Sequence, residues 1–251
     1  MVAGRSLLLR KLESDGMQNL AYTPFEPVPV RRPVDRIPYL VQSVAGKTVL
    51  DLGAYDETAL SKTGTSYWLH GELSRSAALV IGVDNSPALP EEGLETAPNS
   101  RILKFQLENL PELTRRFDFD VVVAGELIEH LSDPLAFLRN LRDDPRLSGR
   151  TLLITTPNAT ALHNCGLALL RRESQHADHL QIYSFKTLNT LFSRAGFPEY
   201  EIFPYHVLYS ELCLRTGGLR RGLLRALEAG VHGLEALFPM VSGGWIVRAR
   251  I

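Results

Sequence analysis

Two acids and a glycine carry the first chemical signal in this sequence. Asp51 and Gly53 lie in the apolar run Val49-Leu50-Asp51-Leu52-Gly53, and Asp84 closes a second run, Leu79-Val80-Ile81-Gly82-Val83-Asp84. A carboxylate at the end of the second run can accept hydrogen bonds from both hydroxyls of a ribose, and its charge strengthens them. The loop after Gly53 narrows the choice of ribose-bearing cofactor. A pyrophosphate needs G-x-G-x-x-G, so that backbone N–H groups can close on it at a helix N-terminus. Here Gly53-Ala54-Tyr55-Asp56-Glu57-Thr58 offers a phenol and two carboxylates instead. The loop therefore disfavours NAD. It favours an adenosine-containing cofactor without phosphate, carrying an ammonium that acids can hold.

A second set of reactive residues follows in Gly125-Glu126-Leu127-Ile128-Glu129-His130. Imidazole titrates near neutral pH, so His130, His163, His176 and His179 are the candidates for taking a proton from a hydroxyl. His130 lies four residues after Glu126 and directly follows Glu129. If this stretch turns helically, the three side chains share one face.

Such residues must be positioned by regular elements. Short runs of branched apolar residues, punctuated by glycine and separated by helix-forming sequence, read as βαβ units. The expected strands cover residues 48–52, 79–83, 101–105, 118–124 and 150–155, with a final strand at 244–250. Helices are expected at 37–44, 66–76, 133–142 and 184–195, the last with Gly196 as its C-cap. This alternation predicts an α/β fold, a doubly wound, Rossmann-like, mostly parallel sheet with helices on both faces. Residues 1–36, with Pro24, Pro27, Pro29 and Pro33, read as an extended arm before a core at 37–205. Residues 206–251 read as a helical cap plus the final strand of the core, with one or two amphipathic helices between Leu212 and Leu237. A polar insertion, Thr58 to Ser66, precedes Tyr67 and Trp68, which either stack over a substrate or pack in the core.

Five stretches, in order, carry a family resemblance. Lys47-Thr48-Val49-Leu50-Asp51-Leu52-Gly53 resembles the first motif of class I S-adenosylmethionine (SAM) methyltransferases, and Val80-Ile81-Gly82-Val83-Asp84-Asn85-Ser86 their second cofactor motif. Phe117 to Pro134, Gly149 to Asn158 and His179 to Phe197 are similar to the fourth strand, fifth strand and sixth-helix region of the branch containing ubiquinone-biosynthesis methyltransferases. The resemblance covers roughly residues 40 to 205. It implies SAM as cofactor, bound by Asp51, Gly53, Asp56, Asp84 and Glu126, with Gln106 accepting from the adenine amino group and Leu107 offering a backbone N–H. Tyr55 and Glu57 replace glycines of the family loop. Either the loop takes another path and SAM still binds, or the domain has become a non-catalytic partner protein.

The implied reaction needs an in-line nucleophile at short range and removal of its proton. The candidates that follow are His130 and His179 as catalytic residues, acting on a hydroxyl of a small natural-product or sugar-like acceptor. Glu126, Glu129, His130 and His179 also resemble the divalent-metal constellation of small-RNA 3′-terminal 2′-O-methyltransferases, whose donors suit Mg²⁺, Mn²⁺ or Fe²⁺. The expectation adopted is activity without metal, and the metal-assisted RNA reaction is the alternative.

Composition bounds the rest. The 251 residues are 45% hydrophobic and 22% charged, with a formal net charge of −1. These values suit one globular unit, and they disfavour nucleic acid as a partner because there is no global basic footprint. Cys165 and Cys213 sit in apolar, helix-like contexts and read as reduced core thiols of a cytoplasmic protein. Ser6-Leu7-Leu8-Leu9 is too short for a signal segment, and no run approaches the ~20 apolar residues of a membrane span. The oligomeric state is open, with a homodimer as one option.

Overall fold

The computed structural model describes residues 25–55 and 62–251. Within them the strands are β1 (Thr48–Leu52), β2 (Leu79–Asp84), β3 (Leu94–Ala97), β4 (Ser100–Lys104), β5 (Val121–Gly125), β6 (Thr151–Pro157), β7 (Tyr200–Tyr205) and β8 (Gly244–Arg250). They form one sheet in the order β3-β4-β2-β1-β5-β6-β8-β7. Strands β4, β2, β1, β5 and β6 pair in parallel. Strand β8 runs antiparallel between β6 and β7, and β3 folds back antiparallel on β4.

The helices are α1 (Arg36–Ser43), α2 (Leu69–Ser74), α3 (Leu110–Arg116), α4 (Pro134–Asp143), α5 (Leu162–Leu169), α6 (Phe185–Ala195), α7 (Ser210–Arg215) and α8 (Gly218–Leu237). They cover both faces of the sheet because successive strand residues point to opposite sides. Leu50, Ile81, Val122 and Leu152 pack against Leu113 of α3, Leu138 of α4 and Leu188 of α6. On the other side, Val49, Val80, Val121 and Leu153 pack against Leu40 of α1 and Leu73 of α2. Near-continuous apolar strands are what a sheet buried on both faces requires.

Local chemistry explains where the elements stop. Asp133 caps α4 by accepting from the Ala136 N–H at 2.9 Å, with Pro134 at the first helical position. Ser184 and Thr187 form a reciprocal capping box at the start of α6, and Gly196 ends that helix at φ +84°. At that glycine a Cβ would also collide with the Arg142 guanidinium.

Several elements differ from the sequence reading, which did not expect helices α3 and α5. Strand β7 contains Pro204, which argues against a central strand. It is the edge strand of the sheet, where the missing N–H costs no ladder bond. Strand β3 is another edge piece, too short and too exposed to show a period. Helix α2 is shorter than 66–76 because Trp68 is extended at the position before it. The cysteine reading also needs a correction. Cys213 is buried, but Cys165 is exposed on α5, a helix with no buried residue. Among the described residues, no helix is long and apolar enough to cross a membrane.

Candidate functional site

The sheet order reverses at β1, which lies between β2 and β5. In doubly wound sheets ligands bind beyond the carboxyl ends of the strands at this point. The residues singled out from sequence at the ends of β1, β2, β4 and β5 therefore gather along one edge of the sheet.

Gly53 takes φ +73°, and its N–H donates to the Val83 carbonyl at 2.9 Å. A Cβ there would sit 3.1 Å from Leu127 Cδ1 in a backbone region that L-residues avoid, so glycine is required on both counts. The Ala54 N–H donates to the same carbonyl, and the Tyr55 N–H donates to Asp84 Oδ2 at 3.0 Å. The loop is thus pinned to the end of β2. Tyr55 is not among the described residues with positive φ, so the loop carries it without the strain a Cβ meets in the left-handed region. Asp56 and Glu57 lie outside the described residues.

Asp84 also accepts from the Ser86 N–H at 2.8 Å. Burial raises its carboxyl above the usual range, while the amides of Ser86 and Tyr55 pull the other way. Asp84 and Gln106 end neighbouring strands, since the Phe105 N–H donates to the Asp84 carbonyl at 2.8 Å. Gln106 is exposed, and its Oε1 lies 3.4 Å from Asn85 Nδ2. Leu107 begins the 3₁₀ turn that follows and packs on the core.

Asp51 is different. Its carboxylate is buried and meets His70 Nδ1 at 2.9 Å, and His70 Nε2 lies 2.8 Å from Ser100 Oγ and 3.0 Å from Thr96 Oγ1. This acid ties β1 to α2, β3 and β4, and shapes the loop from beneath. Trp68 resolves toward the core reading, packed with Ala54, Leu89 and Ile102.

At the end of β5, Glu126 adopts φ +59°, a conformation costing a non-glycine residue roughly 1–2 kcal/mol. Strain of this kind persists where the surroundings over-determine it. Here the Glu126 N–H donates to the Thr155 carbonyl at 3.0 Å, and its Oε1 accepts from the Tyr205 hydroxyl at 2.9 Å with Arg36 Nε at 3.8 Å. Nothing local in the sequence marks Tyr205 or Arg36 as partners of Glu126. They meet it only because β7 and α1 converge on this edge.

The expectation that Glu126, Glu129 and His130 share a face is not met. The segment is a single 3₁₀ turn, Ile128–His130, entered through the left-handed Glu126. Glu129 turns inward, fully buried, and its Oε2 accepts from the Thr156 hydroxyl at 3.0 Å. His130 faces His179, with ring centroids 4.7 Å apart and nearly perpendicular, and His176 lies beyond at 6.0 Å. His163 is elsewhere, on α5 near Glu235. The segment after α5 is brought in by its backbone, because the N–H groups of Leu180 and Gln181 both donate to the Glu129 carbonyl.

Burial pushes the Glu129 carboxyl well above the ordinary carboxylate range, with the nearby Glu126 charge adding to it. Burial lowers His179, reinforced by His130. Burial thus favours the neutral form of both groups. Glu129 Oε1 and His179 Nδ1 are both buried without a hydrogen-bond partner. Donor atoms of Glu129, His130 and His179 lie within 4.8 Å of one another.

A stability test follows from Glu129. Its folded-state pKa is raised, so the native protein keeps a proton that the unfolded chain loses above about pH 4.3. That contribution is complete below this value and is lost as pH rises through the folded pKa. Glu129→Gln removes the linkage, so its melting temperature should exceed that of the wild type at pH 8 and converge on it near pH 4. Scanning calorimetry at the two pH values checks this; a constant offset would show that ionisation of Glu129 costs nothing.

A doubly wound sheet with a glycine turn at its switch point is the class of fold that holds ligands beyond the carboxyl ends of its strands. A family model described as "Methyltransferase domain" matches residues 25–200, and the chain belongs to that family. The matched region is a methyltransferase domain. The chain is 28% identical over 127 residues to a tRNA U34 carboxymethyltransferase of Shewanella frigidimarina (strain NCIMB 400), covering 48% of this chain and 35% of that protein. It is 29% identical over 119 residues to a ubiquinone biosynthesis O-methyltransferase of Coxiella burnetii (strain Dugway 5J108-111), covering 46% of each. The chain therefore spans about a third to a half of the length of these curated relatives. A SAM-dependent methyltransferase from Archaeoglobus fulgidus shares the fold with a TM-score of 0.50 at 16% identity, over 86% of this chain and 91% of that one.

Proposed function

We propose that this methyltransferase acts on a hydroxyl of a small-molecule acceptor, with His179 or His130 taking the hydroxyl proton. The observation that carries this reading is the pair His130–His179 beyond the end of β5, with the His179 pKa lowered by burial so that the imidazole is a base at neutral pH. SAM supplies an activated sulfonium methyl when bound. The residues present fit it: the Gly53 turn brings side-chain-free backbone to the end of β1 at φ +73°, and Asp84 presents a carboxylate whose oxygens each retain acceptor capacity beyond one amide. Asp84 would hold the ribose hydroxyls, Gln106 and Leu107 the adenine, and the Gly53 loop, with Asp56 and Glu126, the methionine part. Asp51 would act through His70 by fixing that loop.

A second reading, metal-assisted methylation of an RNA 2′-hydroxyl, is favoured by the orphaned Glu129 Oε1 and His179 Nδ1. One carboxylate and two imidazoles fit Mg²⁺, Mn²⁺ or Fe²⁺, and an ion held by Glu129, His130 and His179 would lower the pKa of the acceptor hydroxyl. Glu126, the fourth member of the resemblance, is instead engaged by Tyr205 and Arg36. The names of the two relatives point to tRNA in one case and ubiquinone biosynthesis in the other, so they leave the acceptor open.

Two measurements test these readings. Calorimetric titration with SAM should show stoichiometric binding. Turnover of a hydroxyl acceptor should then survive excess chelator, whereas loss restored by a single added ion would replace the first reading with the second.

A further inference from the structure

Helix α8 displays its leucines away from the body of the protein. Leu219, Leu223 and Leu227 follow one another at i, i+4 and i+8, and Leu234 and Leu237 continue the stripe, all of them exposed, with Leu219 at 82% and Leu223 at 64%. The helix is held instead by its polar side. Buried Glu235 accepts from the His206 ring at 2.7 Å and from the Val207 N–H at 3.2 Å. Glu228 accepts from the Tyr209 N–H at 2.9 Å, and His232 Nε2 lies 2.8 Å from the Val207 carbonyl. Between α7 and α8 runs an open apolar groove of about 380 Å³, lined by Leu212, Thr216, Arg220, Leu223, Leu224 and Leu227. A continuous apolar stripe of this kind marks an interaction surface rather than chance exposure.

The charge at this end of the helix identifies the occupant, since Arg220 lines the groove beside the leucines, whereas Arg221 and Arg225 lie on the opposite side of α8. Between residues 215 and 225 the chain carries Arg215, Arg220, Arg221 and Arg225 and no acid, and all four arginines are exposed. The whole chain has a net charge of −1, so this cationic patch is local. We propose that the α7–α8 face docks on an anionic lipid bilayer, with the leucines entering the headgroup–acyl boundary and Arg220 at the groove and Arg215 at the end of α7 meeting lipid phosphates. Leucines on one face of a helix flanked by basic residues are the pattern that lies in a membrane interface, and each cation near an anionic leaflet adds to binding. A second copy pairing through the same stripe would bring like charges into one interface, which disfavours self-association.

The docking face adjoins the candidate site. Helix α8 is fastened through Glu235 to His206, the residue after Tyr205, whose hydroxyl holds Glu126. Tyr67, from the segment after β1, lies beside Cys213 of α7. Docking therefore sets this edge of the protein beside the bilayer whatever the acceptor is.

Vesicle flotation tests the proposal. The full chain should float with equimolar phosphatidylcholine–phosphatidylglycerol vesicles and stay behind with phosphatidylcholine alone. Arg215→Gln with Arg220→Gln should lower partitioning by about 30-fold, and Leu219→Ser with Leu223→Ser should abolish the part that survives high salt. Unchanged SAM affinity in both variants shows that they fold, and separates this result from any failure of the acceptor reading. Absence of flotation with the mixed vesicles, or flotation untouched by either variant, overturns the proposal. So does sedimentation showing a dimer that Leu219→Ser with Leu223→Ser dissolves, since the stripe would then belong to a second copy.

Discussion

Replacing His179 by alanine is expected to cut kcat by about 10²–10⁴ at neutral pH while leaving SAM affinity nearly unchanged. The size follows from the task assigned to it. A sulfonium methyl is already activated, so positioning supplies much of the acceleration and the proton acceptor the rest. The pH dependence carries a sign. Burial lowers the His179 pKa, so the imidazole stays neutral below its ordinary value, and the acid limb of kcat should fall below about pH 6.5. His130→Ala is the necessary companion, because the two rings touch edge to face. If His130 is the base, the large loss appears there, and His179→Ala produces a smaller one. Full turnover in both variants would show that neither takes the proton.

Asp84→Ala is expected to give the largest loss of SAM affinity. Each charge-assisted hydrogen bond to a ribose hydroxyl contributes roughly 1.5–3 kcal/mol, so losing two weakens binding by several powers of ten. Asp84 also holds the Tyr55 and Ser86 amides, and its removal frees the loop as well as the ribose. Asp84→Asn separates the two effects, because its amide oxygen can still accept from one amide while the charge is gone. Binding should also weaken as pH falls toward the pKa of Asp84, starting above the usual carboxylate range because burial raises it. Calorimetric titration across pH checks both statements. Unchanged affinity in Asp84→Ala would remove Asp84 from the cofactor site.

Much of this arrangement was legible without coordinates, for a physical reason. The apolar runs ending at Gly53 and Asp84, the Asp133-Pro134 start of α4 and the Ser184…Gly196 bounds of α6 are local signals: chain conformation, capping and burial on both faces leave their mark within a few residues. They place the α/β sheet and bring Asp84, Gln106 and Glu126 to one edge. Strands β3 and β7 were not legible, because edge strands tolerate polar residues and proline and so lose the apolar signature.

What each site acid does was decided by contacts across the fold. Asp51 and Asp84 look equivalent as strand-terminal carboxylates, yet one is bound to His70 beneath the sheet edge and the other holds loop amides. Glu126 and Glu129 are three residues apart, yet one meets Tyr205 and Arg36 while the other is sealed against Thr156. His70, Thr156 and Tyr205 lie 19, 27 and 79 positions from the acids they meet, and no local pattern encodes their meeting. The sequence determined the fold, the family and the edge that carries the chemistry, through short-range propensity and periodicity. Only the tertiary structure decided which carboxylates are buried or anchored and which histidines face one another, because protonation and orientation depend on burial and on partners supplied by distant strands and helices.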